Sequence, residues 1–112
     1  MATGAQRELI ILPDFFDDVR QAYEFILSNS YQNAEQFADG IEAALDEIET
    51  IPERYVPDRL LRDDANTYRR YIYFKSFKIV YAVEPDKLVV RGLTHVRRKP
   101  EMSLRIKNRH SK

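Results

Sequence analysis

The chain has 112 residues, 44% hydrophobic and 32% charged, with no cysteine and a formal net charge of zero. That is the length of one domain, here taken as 1–112, with enough apolar and aromatic material for a core. A disulfide framework, a cysteine-based zinc site and a thiol nucleophile are excluded, and no apolar run approaches the ~18 residues of a membrane span.

Residues 1–7 are expected to form a flexible leader. They lack the apolar core of a signal peptide, so a cytoplasmic protein is expected. Glu8 to Leu12 (ELIIL) is too short for a helix and reads as a strand ending at Pro13. Asp14 is read as the N-cap of a first helix, with Asp17 and Asp18 favoured by the positive end of its dipole. Phe15, Val19, Ala22, Tyr23 and Ile26 follow helical spacing and give one apolar stripe. The Asp14, Asp17 and Asp18 trio has no histidine or fourth ligand near it in sequence, so capping is preferred to metal binding.

A second helix is placed from about Asn33, with Gln36 completing a capping box. Ala34, Phe37, Ala38, Ile41, Leu45 and Ile48 form its stripe, and Glu35, Asp39, Glu42, Asp46 and Glu49 its outer face. Pro52 closes it. The short connection makes the two helices an antiparallel hairpin. Gly40 inside a helix costs about 1 kcal/mol against alanine, which a close helix–helix or helix–sheet approach would explain. Glu53 to Thr67 has no clear period and reads as a surface connection with one helical turn at Arg59 to Arg62.

From Tyr68 the period changes to two. Tyr68, Arg70, Ile72 and Phe74 fall on one face, and Arg69, Tyr71 and Tyr73 on the other. After a turn at Lys75-Ser76, Phe77, Ile79, Tyr81 and Val83 alternate with Lys78, Val80 and Ala82. A turn at Glu84-Pro85-Asp86-Lys87 leads to a third strand, Leu88 to Leu93. Such alternation bounded by turn residues is an antiparallel meander, with one face buried and one wet. Residues 101–112 read as a mobile tail or a last short strand, with Leu104 and Ile106 alternating with Arg105, Lys107 and Arg109. His110 belongs to that tail. The fold class is α+β: an N-terminal strand, an antiparallel helix hairpin, then a three-stranded meander with the helices on one face.

The zero net charge conceals a division. Residues 1–67 carry five basic and fifteen acidic side chains, and residues 68–112 thirteen basic and three acidic. A chain so divided suits one face for an anionic partner. Arg69, Arg91, Arg97, Arg98 and Lys99 are the candidate anion-binding patch. Tyr71 and Tyr73 share a face with Arg69 and are the aromatic contact candidates, while Tyr81 is assigned to the core. His95 is a candidate base, against the plainer reading of a histidine hydrogen-bonded to backbone at the sheet end.

The order of four phrases resembles the RelE/ParE superfamily of type II toxins, also called plasmid-stabilisation proteins. They are ELIILPDFFDDVRQAYEFI, AEQFADGIEAALDEIETIPER, YRRYIYFKSFKIVYAVEPDKLVV and LTHVRRKP, and together they span Glu8 to Pro100. The resemblance implies a cytoplasmic toxin held by a cognate antitoxin in a hetero-oligomer, without membrane, metal or cofactor. It implies one of two targets: DNA gyrase (ParE-like), or the ribosome and its mRNA (RelE-like, a metal-independent endoribonuclease). For cleavage, the resemblance puts Lys78 where nuclease members hold arginine and Arg69 where some hold a first catalytic lysine. It gives His95 an acid/base role, and the nuclease alternative would use Arg97 beside these three. Tyr71 stands in place of a second lysine, Val96 in place of a tyrosine, and no tyrosine follows Glu101. The ending Leu93-Thr94-His95-Val96-Arg97-Arg98 is closer to the ParE-style close. The gyrase branch is therefore favoured, with the nuclease as alternative and an inactive remnant or a nucleic-acid-binding module as a third reading.

Overall fold

The computed structural model describes residues 7–109; the leader expected at 1–7, but for Arg7, and His110 lie outside them. β1 (Glu8–Ile11) enters α1 (Pro13–Leu27), α2 (Tyr31–Asp39) and α3 (Ile41–Thr50). Two single 3₁₀ turns follow, Pro52–Arg54 and Arg59–Leu61. Then come β2 (Tyr68–Tyr73), β3 (Phe77–Val83), β4 (Lys87–His95) and α4 (Pro100–Lys107). The sheet order is β1-β4-β3-β2. β2, β3 and β4 form the expected antiparallel meander, and β1 adds to its far edge in parallel with β4. No helix among the described residues is long and apolar enough to cross a membrane.

α1, α2 and α3 cover one face. Phe15, Ala22, Phe37, Ala44 and Ile48 pack there on Tyr73, Phe77, Ile79, Tyr81, Leu88, Val90 and Leu93. The helix stripes were read largely correctly, with two exchanges: Ala38 is exposed and Ala44 is buried. Asp14 is not the N-cap. Leu12 is, with Pro13 in the first turn and no side-chain cap, because proline already presets the backbone there. Ser30, not Asn33, caps α2 and accepts the Asn33 N–H at 3.1 Å.

The second helix is two. α2 and α3 meet at Gly40, and a Cβ built there would lie 2.5 Å from the Tyr73 hydroxyl. That hydroxyl donates to the Phe37 carbonyl. The glycine is therefore explained by a close approach of helix to sheet.

The expected wet face is not wet. Leu61, Val80 and Ile106 form one apolar cluster on it and Leu12, Ala82 and Val89 another. α4 and the Arg59–Leu61 turn cover the first of these through Ile106 and Leu61, and Ile10 and Tyr68 pack against the second. α4 replaces the tail or short strand expected at 101–112; Ser103 and Ile106 are its buried side chains. A run such as Phe77–Ala82, buried at every residue, is what a strand covered on both faces looks like.

Candidate functional site

Where β4 ends, the backbone is pinned. Val96 N–H donates to the Ser76 carbonyl at 2.9 Å and Arg98 N–H to the His95 carbonyl at 3.0 Å. His95 Nδ1 accepts the Arg97 N–H at 3.0 Å, which is the plainer role foreseen for it. This turn fixes Arg97, Arg98 and Lys99, all exposed. Pro100 then starts α4, since a helix's first turn has no use for its missing N–H. None of the three cations has an ion-pair partner among the described residues.

Beside this cationic tip lies a cleft of about 320 Å³ between α1, the end of β4 and α4. Ala22, Phe25, Phe77, Leu93 and Met102 give it apolar walls, and His95 and Arg98 stand at its rim. Phe25 is 66% exposed.

The remaining sequence-predicted residues are not part of one exposed patch, and that expectation is corrected. Tyr73 is buried, and Tyr71 is half-buried with its hydroxyl donating to Glu47 at 2.7 Å. Burial, first, raises the phenol pKa of Tyr71, Tyr73 and Tyr81, since a dry site disfavours the phenolate. Tyr81 is core, as assigned. Arg69 faces the helix side and donates to the Glu53 and Tyr55 carbonyls.

Arg91 is buried. The β3–β4 register shifts there, and the extra residue of this bulge re-aims its side chain. It donates to the carbonyls of Ile106, Lys107 and Arg109 and so stops the C-terminal end of α4. Lys78 is buried on the opposite sheet face and donates to Asp58 at 2.6 Å. Of Arg69, Lys78, His95 and Arg97, then, the first two lie on opposite faces and are spent on internal partners, and only His95 and Arg97 meet at the tip.

Sequence reasoning missed Asp18. It lies three residues after Phe15 and four before Ala22, on the buried stripe itself, and that spacing was the available signal. β1 stops at Ile11, so the edge of β4 beyond it would be open. Asp18 accepts the Leu93 N–H at 2.9 Å, and Arg109 donates to the Arg91 carbonyl at 3.0 Å. Arg109 also pairs with Asp18 at 2.7 Å and with Asp14 at 3.3 Å. Two carboxylates of the first helix are thus used to hold the C-terminal segment. Asp58, Phe25 and Met102 were also missed. Asp58 sits in a segment without period, and Phe25 lies off the apolar stripe.

A family model described as "ParE toxin of type II toxin-antitoxin system, parDE" matches residues 9–100. Among solved structures, a chain from the "Chromosomal ParDE TA system from P. aeruginosa" aligns with a TM-score of 0.64 at 9% identity, covering 84% of this chain and 100% of that one. At that identity the likeness shows the fold alone. No curated protein sequence matches this chain.

Proposed function

We propose a mode of action for this chain, which belongs to the ParE toxin family of type II toxin–antitoxin systems: it inhibits DNA gyrase by docking, without catalysis of its own. A cognate antitoxin neutralises it in a cytoplasmic hetero-oligomer. One observation carries the choice of docking over RNA cleavage. The four side chains that would serve a metal-independent nuclease are divided. Lys78 is buried against Asp58, Arg69 is bound to backbone carbonyls on the other face, and His95 lends its Nδ1 to a turn. Transphosphorylation needs base, cations and acid around one phosphate. An inhibitor needs only a surface, and the cationic tip with its apolar cleft is one.

The test is induced expression followed by two assays on the same cells. Relaxed plasmid DNA, an SOS response and intact messages are expected, together with inhibition of purified gyrase by the purified chain. Cuts at codon positions in primer extension, with supercoiling unchanged, would overturn the reading in favour of the ribosome-dependent nuclease. Co-expression of the neighbouring gene's product is expected to restore growth.

A further inference from the structure

We propose that the turn before β3 and the turn after β4 together hold the phosphate backbone of duplex DNA, with Lys75 as a fourth cation beside Arg97, Arg98 and Lys99. The inference rests on the reading above, since the enzyme to be inhibited works on DNA, and it names what the cationic tip touches. The two turns form one unit. The Val96 N–H donates to the Ser76 carbonyl at 2.9 Å, so Lys75 and Arg97 stand one residue to either side of a shared hydrogen bond. All four side chains are exposed, and none has an ion-pair partner among the described residues.

The backbone at Lys75 is bent in a way that its side chain does not explain. Phe74 and Lys75 have φ of 54° and 65°, in the left-handed region that glycine adopts at less cost. The Ser76 N–H closes on the Phe74 carbonyl at 2.7 Å. That makes a three-residue turn centred on Lys75, with the φ of the rarer and more strained hand. Phe74 is held there by packing edge-on against Phe37 at 5.5 Å. Lys75 faces solvent instead, so a ligand is what its strained position suits.

The charge is local. The formal net charge of the chain is zero, so it has no general attraction for DNA. Between Thr67 and Pro100 the carboxylates are Glu84 and Asp86. They sit at the other end of β3, a seven-residue strand, which puts them about 20 Å away. Asp18, which lines the neighbouring cleft, is paired with Arg109 at 2.7 Å, and Glu101 in the first turn of α4 offsets one cation. Four cations on two turns are what neutralises phosphates. Unpaired bases also need open rings to stack on. Here Tyr73 and Phe77 are buried and His95 packs edge-on to Phe77 at 5.4 Å. A duplex backbone needs only the cations. His95 adds a donor to them: its Nδ1 accepts the Arg97 N–H, which leaves the ring proton on Nε2.

The experiment uses the whole chain and a short fluorescent duplex followed by anisotropy across a salt series, with a single strand of the same length and inhibition of purified gyrase read in parallel. Four contacts at about −0.9 each give a slope of log affinity on log salt of about −3.6, or roughly a hundredfold loss between about 50 and 200 mM salt. Lys75→Gln, Arg97→Gln, Arg98→Gln and Lys99→Gln should each lower that slope by about one. Arg62→Gln and Lys87→Gln, away from the tip, should leave it unchanged. Lys75→Gly, which relieves the turn, should unfold no lower in temperature than the parent and still lose one unit of slope. A lysine kept for the fold alone would not show that opposition. Equal effects of the two distant variants, a slope indifferent to both Lys75 variants, or equal binding of the single strand would overturn the inference. Gyrase inhibition by a parent chain that binds no duplex would assign the tip to a protein surface, removing this inference and leaving the function standing. Duplex binding without gyrase inhibition removes the function alone.

Discussion

Lys78 shows how far a residue's alternation can mislead. Period two sets it on the face opposite Phe77 and Ile79, with Val80 and Ala82, and there it lies. The face is buried, and its partner Asp58 comes from a stretch whose sequence has no period to read. Two charges taken out of water are costly, and among the described residues they are held by each other and by a hydrogen bond from the Leu60 N–H to Asp58 at 2.9 Å. Removing one partner leaves the other buried and unpaired, which costs about 3–5 kcal/mol. Lys78→Met should lower stability by that amount in urea unfolding. Lys78→Met/Asp58→Asn, which keeps the acceptor for Leu60, should recover most of it. The tyrosines were read in the same way, correctly by spacing and wrongly by side. Tyr71 and Tyr73 face the helices because nothing in a strand's own sequence says which face the helices will take. Their displaced pKa values predict a pH effect. For Tyr71, Tyr73 and Tyr81 the folded value lies above the unfolded one, which is about 10. Above that pH the unfolded chain loses phenol protons that the folded chain keeps, so stability is present below about pH 10 and is lost as pH rises beyond it. The tyrosinate absorbance of these three should appear together with loss of circular dichroism. Full titration of every tyrosine while the fold persists would contradict this.

Among the elements, the break at Gly40 carries the sharpest test. An alanine in a helix ordinarily gains about 1 kcal/mol over glycine. Here the added Cβ meets the Tyr73 oxygen at 2.5 Å, and crowding a packed core costs about 1–3 kcal/mol. Gly40→Ala should therefore destabilise. Gly40→Ala/Tyr73→Phe should be less destabilised than the two single changes combined, because the oxygen in conflict is gone and the ring atoms at 3.4 Å are in ordinary contact. Additive effects in thermal unfolding would reject the account. The sequence could raise the question of this glycine but not locate its neighbour, which lies thirty-three residues on. α4 failed for a different reason. It has eight residues and its buried side chains are Ser103 and Ile106, so little more than one turn of period is visible. Its better signals were chemical: Pro100 and Glu101 in the first turn, Arg105 and Lys107 in the last. The meander and the helix stripes were legible because each repeats its period several times.

At the scale of the whole molecule, the division of charge along the sequence survives folding only in part. Arg109 and Lys78 are matched to early carboxylates, Arg91 is turned inward, and Lys87 pairs with Glu84. Of the cations of residues 68–112 outside these pairs, Arg97, Arg98 and Lys99 are consecutive and face solvent at one end of the sheet, beside the cleft, while Lys75 and Arg105 are exposed singly. A field set up by such a cluster steers an anionic partner and weakens with salt. Because these side chains are exposed, reversing them should change stability by no more than about 0.5 kcal/mol per site. The variant Arg97→Glu/Arg98→Glu/Lys99→Glu should consequently fold like the parent and lose growth arrest, while Arg69→Gln, removed from the tip, should keep growth arrest once any change in stability is allowed for. Thermal unfolding and plating under induction decide it. If the triple variant folds and still arrests growth as the parent does, the toxic surface lies elsewhere. If Arg69→Gln alone abolishes arrest in a folded chain, the internal role given to that arginine is wrong as well. A graded loss across the three single substitutions, steeper at low ionic strength when gyrase inhibition is measured in vitro, would mark the tip as acting through its summed field. Loss at one position alone would mark a single specific contact.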